Sequence, residues 1–368
     1  MKNTLSNIYY NFKSKKVKGK FLIFQSDDWG SIRMASKESY NILLKQGFNV
    51  DKCPFNKFDC IESNDDLSGL FEVLESFKDV NGNHPVFTMN FVMGNPDFKK
   101  IKDTDYKEYH WENFTETLKN YNNHDKVIDY YWEGIRKKIL KPQFHGLDHL
   151  NSNSWILSLQ NKDNYAIKAF EQNMFTIYKG IGSSCKKEFL DAFDLIDFSL
   201  NQNIIIEGLN EFNRFFGFKS ISAMAPCYIW NEEIEKLLKK GGVKFIQSAK
   251  SQMIPVIGSD KYQIKRRFSG QTNKSGQFYI TRNVVFEPST DSSKNWVDAA
   301  MKEISNSFNF NAPAVINTHR LNFIGSLVPA NRDNNLSILK ELLRRVINQW
   351  PDVQFIDTIH LGELLSLN

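Results

Sequence analysis

The sequence predicts an α/β fold in which repeated strand–helix units close into a barrel, and three observations carry that expectation. Phe21–Phe24 is a short, continuous apolar run, the pattern of a parallel strand covered by helices on both faces. From Ser220 onward strand-like and helix-like stretches alternate. Four of the strand ends carry unusual polar residues: Asp27 and Asp28, His145 and His149, the turn at Pro226, and His319. In a parallel barrel those ends gather on one face, so residues far apart in the chain converge there.

Taken in order, "MASKESYNILLKQG" (34–47) has helical spacing and a terminal glycine. "DDLSGLFEVLESFKD" (65–79) reads as a helix with Asp65 or Asp66 near its N-cap. "PVFTMNFVMGNPDF" (85–98) reads as a strand ending in a Gly-Asn-Pro turn. Residues 99–141 are polar and aromatic, with one helix around 127–139. "QFHGLDHLNSNSW" (143–155) reads as a short strand and then loop, and 170–200 as helices around a "GIGSSC" break. Ile205, Leu209, Phe212 and Phe216, with Gly217 beyond, mark a capped helix.

The alternation is then plain. "SISAMAPCY", "VKFIQSA", "QFYITRNVVFEPS", "PAVINTH" and "VQFID" are strand-like; "NEEIEKLLKKGG", "NWVDAAMKEISNSF", "NNLSILKELLRRVINQW" and "LGELLSL" are helical. No linker, low-complexity tract or internal repeat interrupts the chain, so one domain over 1–368 is expected, with a core of about 20–366.

Composition bounds the function. The 368 residues are 41% apolar with mean hydropathy −0.44, as in an ordinary soluble protein. Net charge is +5, and "KSKKVKGK" (13–20) is the one dense basic run, a weak footprint from which nucleic-acid binding is not expected. Cys53, Cys60, Cys185 and Cys227 show no C-x-x-C spacing, so a cysteine zinc site is not expected and the thiols read as reduced. The N-terminus lacks an apolar signal segment and no run is long enough to span a membrane; the expected compartment is the cytoplasm. Nothing in the sequence sets the oligomeric state.

His145 and His149 stand four apart, a spacing that on a helical turn lets two imidazoles chelate one ion; two surface histidines would show the same pattern. Asp27 and Asp28 could cap a following helix, but a cap needs one carboxylate, and two side by side repel unless a cation intervenes. One on a metal and one free as a base would resolve that. Two His and one carboxylate also leave an open coordination position, as in catalytic zinc sites. His319 ends an apolar strand, where a barrel places catalytic groups.

Taken together these motifs resemble the polysaccharide deacetylase superfamily, the NodB-homology enzymes of carbohydrate esterase family four. "QSDDWG" is similar to that family's T-F-D-D-G motif and to the D-D-F-G of YdjC-like sugar deacetylases. "HGLDH" resembles H-S/T-x-x-H, "MAPCY" resembles R-x-P-Y, "NTH" resembles L-x-H, and "FIDTIHLGELL" resembles the closing F-V-T-x-x-E-L-L. Order is kept from about residue 20 to 366, with 99–141 and 153–216 as insertions.

The resemblance implies a distorted TIM-like (β/α) barrel of the NodB type and a divalent metal, most simply Zn²⁺, with Co²⁺, Ni²⁺ or Fe²⁺ also suited to the ligand set. It implies metal ligation by Asp28, His145 and His149, a general base at Asp27 and a general acid at His319. The backbone N–H of Cys227 matches the oxyanion donor, and Trp29 and Tyr228 are candidate substrate contacts. Met224 stands where the family has the arginine that keeps the base ionised; Arg33, Arg282 and Arg320 are candidate replacements. Glu287 or Asp291 is expected to orient His319. The function implied is metal-dependent removal of an N-acetyl group from an acetylated amino sugar in a polysaccharide or glycan precursor. Two alternatives stand beside it: a non-catalytic carbohydrate-binding or assembly protein, and a hydrolase of another C–N bond.

Overall fold

The structure is a computed structural model that describes residues 2–177, 198–256 and 261–367. The whole "GIGSSC" break, with Cys185, lies outside the described residues.

Among the described residues one sheet holds nine strands: β1 Lys20–Trp29, β2 Phe87–Val92, β3 Leu140–Gly146, β4 Ser222–Met224, β5 Phe245–Ser248, β6 Phe278–Thr281, β7 Val284–Val285, β8 Ala314–His319 and β9 Val353–Phe355. Every pairing is parallel, in the order β6-β5-β4-β3-β2-β1-β8-β7. The two ends of that path are one run of chain. β6 pairs β5 as far as Thr281, Arg282 N–H still donates to Ser248, and Asn283 N–H already donates to Val315 on β8. The chain therefore steps across the remaining gap between Thr281 and Val284 and closes a distorted (β/α) barrel. β9 pairs only Lys20–Leu22, on the side of β1 that β2 takes over from Phe24.

The strands are buried on both faces because helices wrap them, as the apolar run at Phe21–Phe24 implies. Asn64–Glu75, Val127–Arg136, Phe198–Phe216, Glu232–Lys240, Trp296–Asn309 and Pro329–Gln349 form this outer layer. Helix 64–75 opens with a capping box in which Ser63 and Asp66 satisfy each other's backbone N–H groups; Asp65 and Asp66 stand near the N-cap as expected, and the cap itself is Ser63. The stretch after β2 does not turn away at Gly94. It continues as a short strand, Gly94–Pro96, paired antiparallel with Trp111–Asn113. Two elements went unread in the sequence: an N-terminal helix, Lys2–Lys13, and an antiparallel ribbon, Ser251–Pro255 with Tyr262–Arg266.

Candidate active site

Neighbouring residues of a regular strand point to opposite faces, so Asp27 and Asp28 should diverge. They do not, because β1 carries a bulge where its register with β2 slips between Ser26 and Trp29, and Asp28 sits at φ 75°. The bulge aims both carboxylates at the barrel mouth. A second slip lies across the ring, where Phe91 pairs Phe144 but Val92 pairs Gly146, leaving His145 as the extra residue. Gly146 has φ 131°, and a Cβ there would meet the Asp148 carbonyl at 2.7 Å, so only glycine serves. His145 therefore ends a strand and His149 follows in a loop; the turn between them does what a helical turn was expected to do.

Asp28 Oδ1 is buried without a hydrogen-bond partner, and the Nε2 atoms of His145 and His149 each lie 3.4 Å from it. The His145 Nδ1–H donates to the Met224 carbonyl at 2.9 Å, which in a neutral imidazole leaves the Nε2 lone pair facing Asp28. Burial holds His149 neutral, well below the ordinary imidazole pKa. Burial would raise Asp28, but Arg33, 3.1 Å from Oδ2, outweighs it and keeps the carboxylate ionised. An orphaned carboxylate oxygen beside the Nε2 atoms of two imidazoles is a donor set that fits a divalent cation.

Asp27 faces different partners. Arg282 grips it with two bonds, Nη1 to Oδ2 at 2.5 Å and Nη2 to Oδ1 at 2.6 Å, and Asn90 donates to Oδ1 at 2.7 Å. Burial again pushes the pKa up and the guanidinium overrides it, holding Asp27 ionised well below the usual carboxylate range. Arg282 thus supplies the cation missing at Met224. Arg33 serves Asp28 instead, and Arg320 is buried against Asp59 at 3.1 Å and Glu62 at 2.7 Å.

His319 Nδ1 donates to Glu287 Oε1 at 2.6 Å, and its Nε2 lies 3.8 Å from Asp27 Oδ2. Burial disfavours the imidazolium, but Glu287 outweighs it and raises the pKa to about 9. Glu287 is therefore the orienting carboxylate. Asp291 is exposed and occupied with Ser293, which removes it from the site. Because the folded pKa lies above the unfolded one, His319 stabilises the fold fully below about pH 6.5 and loses that contribution as pH rises through about 9. Glu287→Gln keeps an acceptor but removes the charge; a titration of the His319 ring by NMR should show its pKa falling from about 9 toward the ordinary imidazole value.

Asp27, Asp28, Arg33, His145, His149 and His319 line one cavity of 110 Å³, with Phe55, Met224, Cys227, Tyr228 and Asn317 completing its wall. Cys227 and Tyr228 have φ of 54° and 61°, so the chain folds back tightly at the end of β4 and turns its backbone toward the mouth. The Tyr228 hydroxyl donates to Asn317 at 3.1 Å and accepts from Arg282 at 3.2 Å. Trp29 is not a substrate contact: it is buried in the main core, its indole N–H on Ser26 at 3.0 Å. The bulge that turns the two carboxylates inward turns Trp29 away. Trp29→Phe should cost about 1–3 kcal/mol in chemical denaturation and leave turnover unchanged.

Several residues of this site were not singled out from the sequence. Phe55 stands edge-on to the His319 ring at 5.5 Å, carried by the short helix Pro54–Phe58. Gln25 accepts from Arg282 Nε at 2.8 Å, and Gln247 exchanges hydrogen bonds with Asn90 at 2.7 and 2.8 Å. A readable signal existed: Gln25, Asn90, Gln143 and Gln247 are amides inside otherwise apolar strands. A buried amide requires partners, and these find them inside the barrel, three of them directly beneath Asp27 and Arg282.

No protein-family model and no curated protein matches the sequence. Solved structures are similar over nearly the whole chain. One assigned as a polysaccharide deacetylase from Mycobacterium smegmatis has a TM-score of 0.47 at 11% identity, covering 97% of this chain and 95% of that one. Another so assigned, from Pseudomonas aeruginosa PAO1, has a TM-score of 0.45 at 8% identity, covering 95% and 91%. Puue allantoinase has a TM-score of 0.46 at 9% identity, covering 95% and 90%.

Proposed function

We propose that this chain is a divalent-metal-dependent hydrolase that removes the acetyl group from an acetylated amino sugar. The observation that carries the reading is the division of labour around one small cavity. Asp28, His145 and His149 present a metal donor set on one side, while Asp27 with Arg282, and His319 with Glu287, form two polarised pairs on another. A divalent ion held by the three donors would act as a Lewis acid toward an amide carbonyl and toward water; zinc suits them best, and cobalt, nickel or iron would also bind.

The chain's own groups supply the proton transfers. Asp27, ionised at neutral pH, accepts a proton from the attacking water. His319, protonated at neutral pH, gives one to the departing amine. The base is thus charged and the acid loaded at the same pH. The backbone N–H of Cys227 is proposed as a donor to the oxyanion, on its place in the cavity wall. A volume of 110 Å³ holds roughly three or four water-sized groups, enough for an acetamido group and too little for a sugar ring. The sugar therefore lies over the rim, where Phe55 and Tyr228 stand.

A non-catalytic carbohydrate-binding protein would be favoured if Asp27 lacked a cationic partner, and Arg282 is that partner. The test is amine release from N-acetylglucosamine oligomers and from nucleotide-linked N-acetylhexosamines, with and without chelator. Metal-loaded protein that releases no amine from any of them would overturn the sugar substrate, and release from a small non-sugar amide would move the site to another C–N bond. Above neutrality, turnover should fall as pH passes through about 9, where His319 loses its proton.

A further inference from the structure

The modest net charge hides a segregated one. Residues 1–26 contain six Lys and no acidic residue; residues 249–286 contain seven Lys and Arg and one acidic residue, Asp260. These two stretches hold 13 of the 47 basic and 1 of the 42 acidic residues, leaving 34 basic against 41 acidic, a net −7, on the rest of the chain.

The fold brings the two stretches together. The helix Lys2–Lys13 packs on the base of the paired strands 251–255 and 262–266: Tyr10 donates to the Lys250 and Arg267 carbonyls, and its ring lies 4.9 Å from that of Phe268. Arg266 stands 5.7 Å over the Tyr9 ring, and Lys15 N–H donates to the Ser269 carbonyl at 2.9 Å. Some of the charge is neutralised, Lys20 by Asp352 and Lys274 by Glu232, and Arg267 and Arg282 are buried. Lys13, Lys16, Lys18, Lys265 and Arg266 are exposed, with no carboxylate within ion-pair distance among the described residues.

The same face exposes apolar side chains. Ile8 and Phe12 lie one helical turn apart on the outer side of the N-terminal helix, with Tyr9 beside them; Phe12 is 63% exposed. Ile264, 59% exposed, lies on the same side of its strand as Arg266 two residues on, and Val256 is exposed at the end of the facing strand. Aromatic and aliphatic side chains ringed by lysine and arginine are the chemistry of an interfacial helix, whose apolar face enters the lipid boundary while its cations meet anionic headgroups. No helix among the described residues is long and apolar enough to cross a membrane, so contact would be with the surface.

We propose that the N-terminal helix and the paired strands 251–255 and 262–266 form one basic, apolar face that docks this protein on an anionic lipid surface. A polyanion such as duplex DNA would be drawn by the same cations but has no use for Phe12, Ile8 and Ile264. The experiment is co-sedimentation of the full chain with vesicles of phosphatidylcholine alone and of equal parts phosphatidylcholine and phosphatidylglycerol. Binding is expected only to the mixed vesicles, weakening as salt rises. Lys13→Ala and Arg266→Ala should each weaken it about fivefold, and Phe12→Ser, which keeps every charge, should weaken it further. These residues are exposed and do not line the cavity, so amine release from a soluble substrate should stay at the wild-type rate in all three variants. Failure to bind the mixed vesicles at low salt would overturn the proposal. So would Phe12→Ser binding as well as wild type, or duplex DNA competing the protein off the vesicles with no loss in Phe12→Ser.

Discussion

Arg282→Met is expected to abolish turnover and to destabilise the fold in the same protein. The guanidinium is buried and makes two bonds to Asp27, one to Gln25, one to Asn317 and one to the Tyr228 hydroxyl. Removing it strands a carboxylate in a site where burial already opposes ionisation. Breaking such a pair costs about 3–5 kcal/mol, and Asp27 escapes part of that cost by taking up a proton. A protonated Asp27 cannot serve as a base, so turnover should fall about 100- to 10,000-fold at neutral pH. Asp27→Asn should lose a similar factor while leaving the cation unpaired. The double variant should then be more stable than the sum of the two single losses, because neither charge remains. Urea titrations of the four proteins, with amine release measured beside them, check both halves. Wild-type turnover in Arg282→Met would remove Asp27 from the proposed chemistry.

His145→Ala should lose the bound metal outright. The ring offers Nε2 to the site and is locked by its Nδ1–H on the Met224 carbonyl, so no neighbour can replace it. Purified wild-type protein should carry an equimolar divalent ion by elemental analysis, and chelation should lower its melting temperature. At a metal concentration of about 100 times Kd the ion would stabilise the fold by about 2.7 kcal/mol. His145→Ala should contain no stoichiometric ion and show no melting shift on adding one, whereas Asp27→Asn should keep both properties. A full complement of metal in His145→Ala would break the assignment of the donor set.

What the sequence made legible follows from how local each signal is. Asp27, Asp28, His145, His149 and His319 stand at the ends of apolar runs, and the barrel topology alone sends such ends to one face. The repeating strand–helix pattern after Ser220 is equally local, and the strands fall where it puts them. The orientation of Asp28 and Trp29 was hidden, because a bulge exists only against a partner strand and β2 lies some sixty residues away. The choice of Glu287 over Asp291 was hidden for the same reason: both flank one turn, and only packing against β8 decides which meets His319. The basic face was hidden more deeply still, since its two halves are more than two hundred residues apart and the total charge cancels most of it.

The crossing of the chain from β6 to β7 has a consequence of its own. It places Arg282 at the one point where the backbone leaves one neighbour for another, and from there its side chain spans the barrel's interior to reach Asp27. A counterion at such a crossing can thus pair with a carboxylate that lies 255 residues away along the polypeptide. Any search that defines this kind of pocket by linear spacing would count the barrel as broken, although its electrostatic circuit is whole.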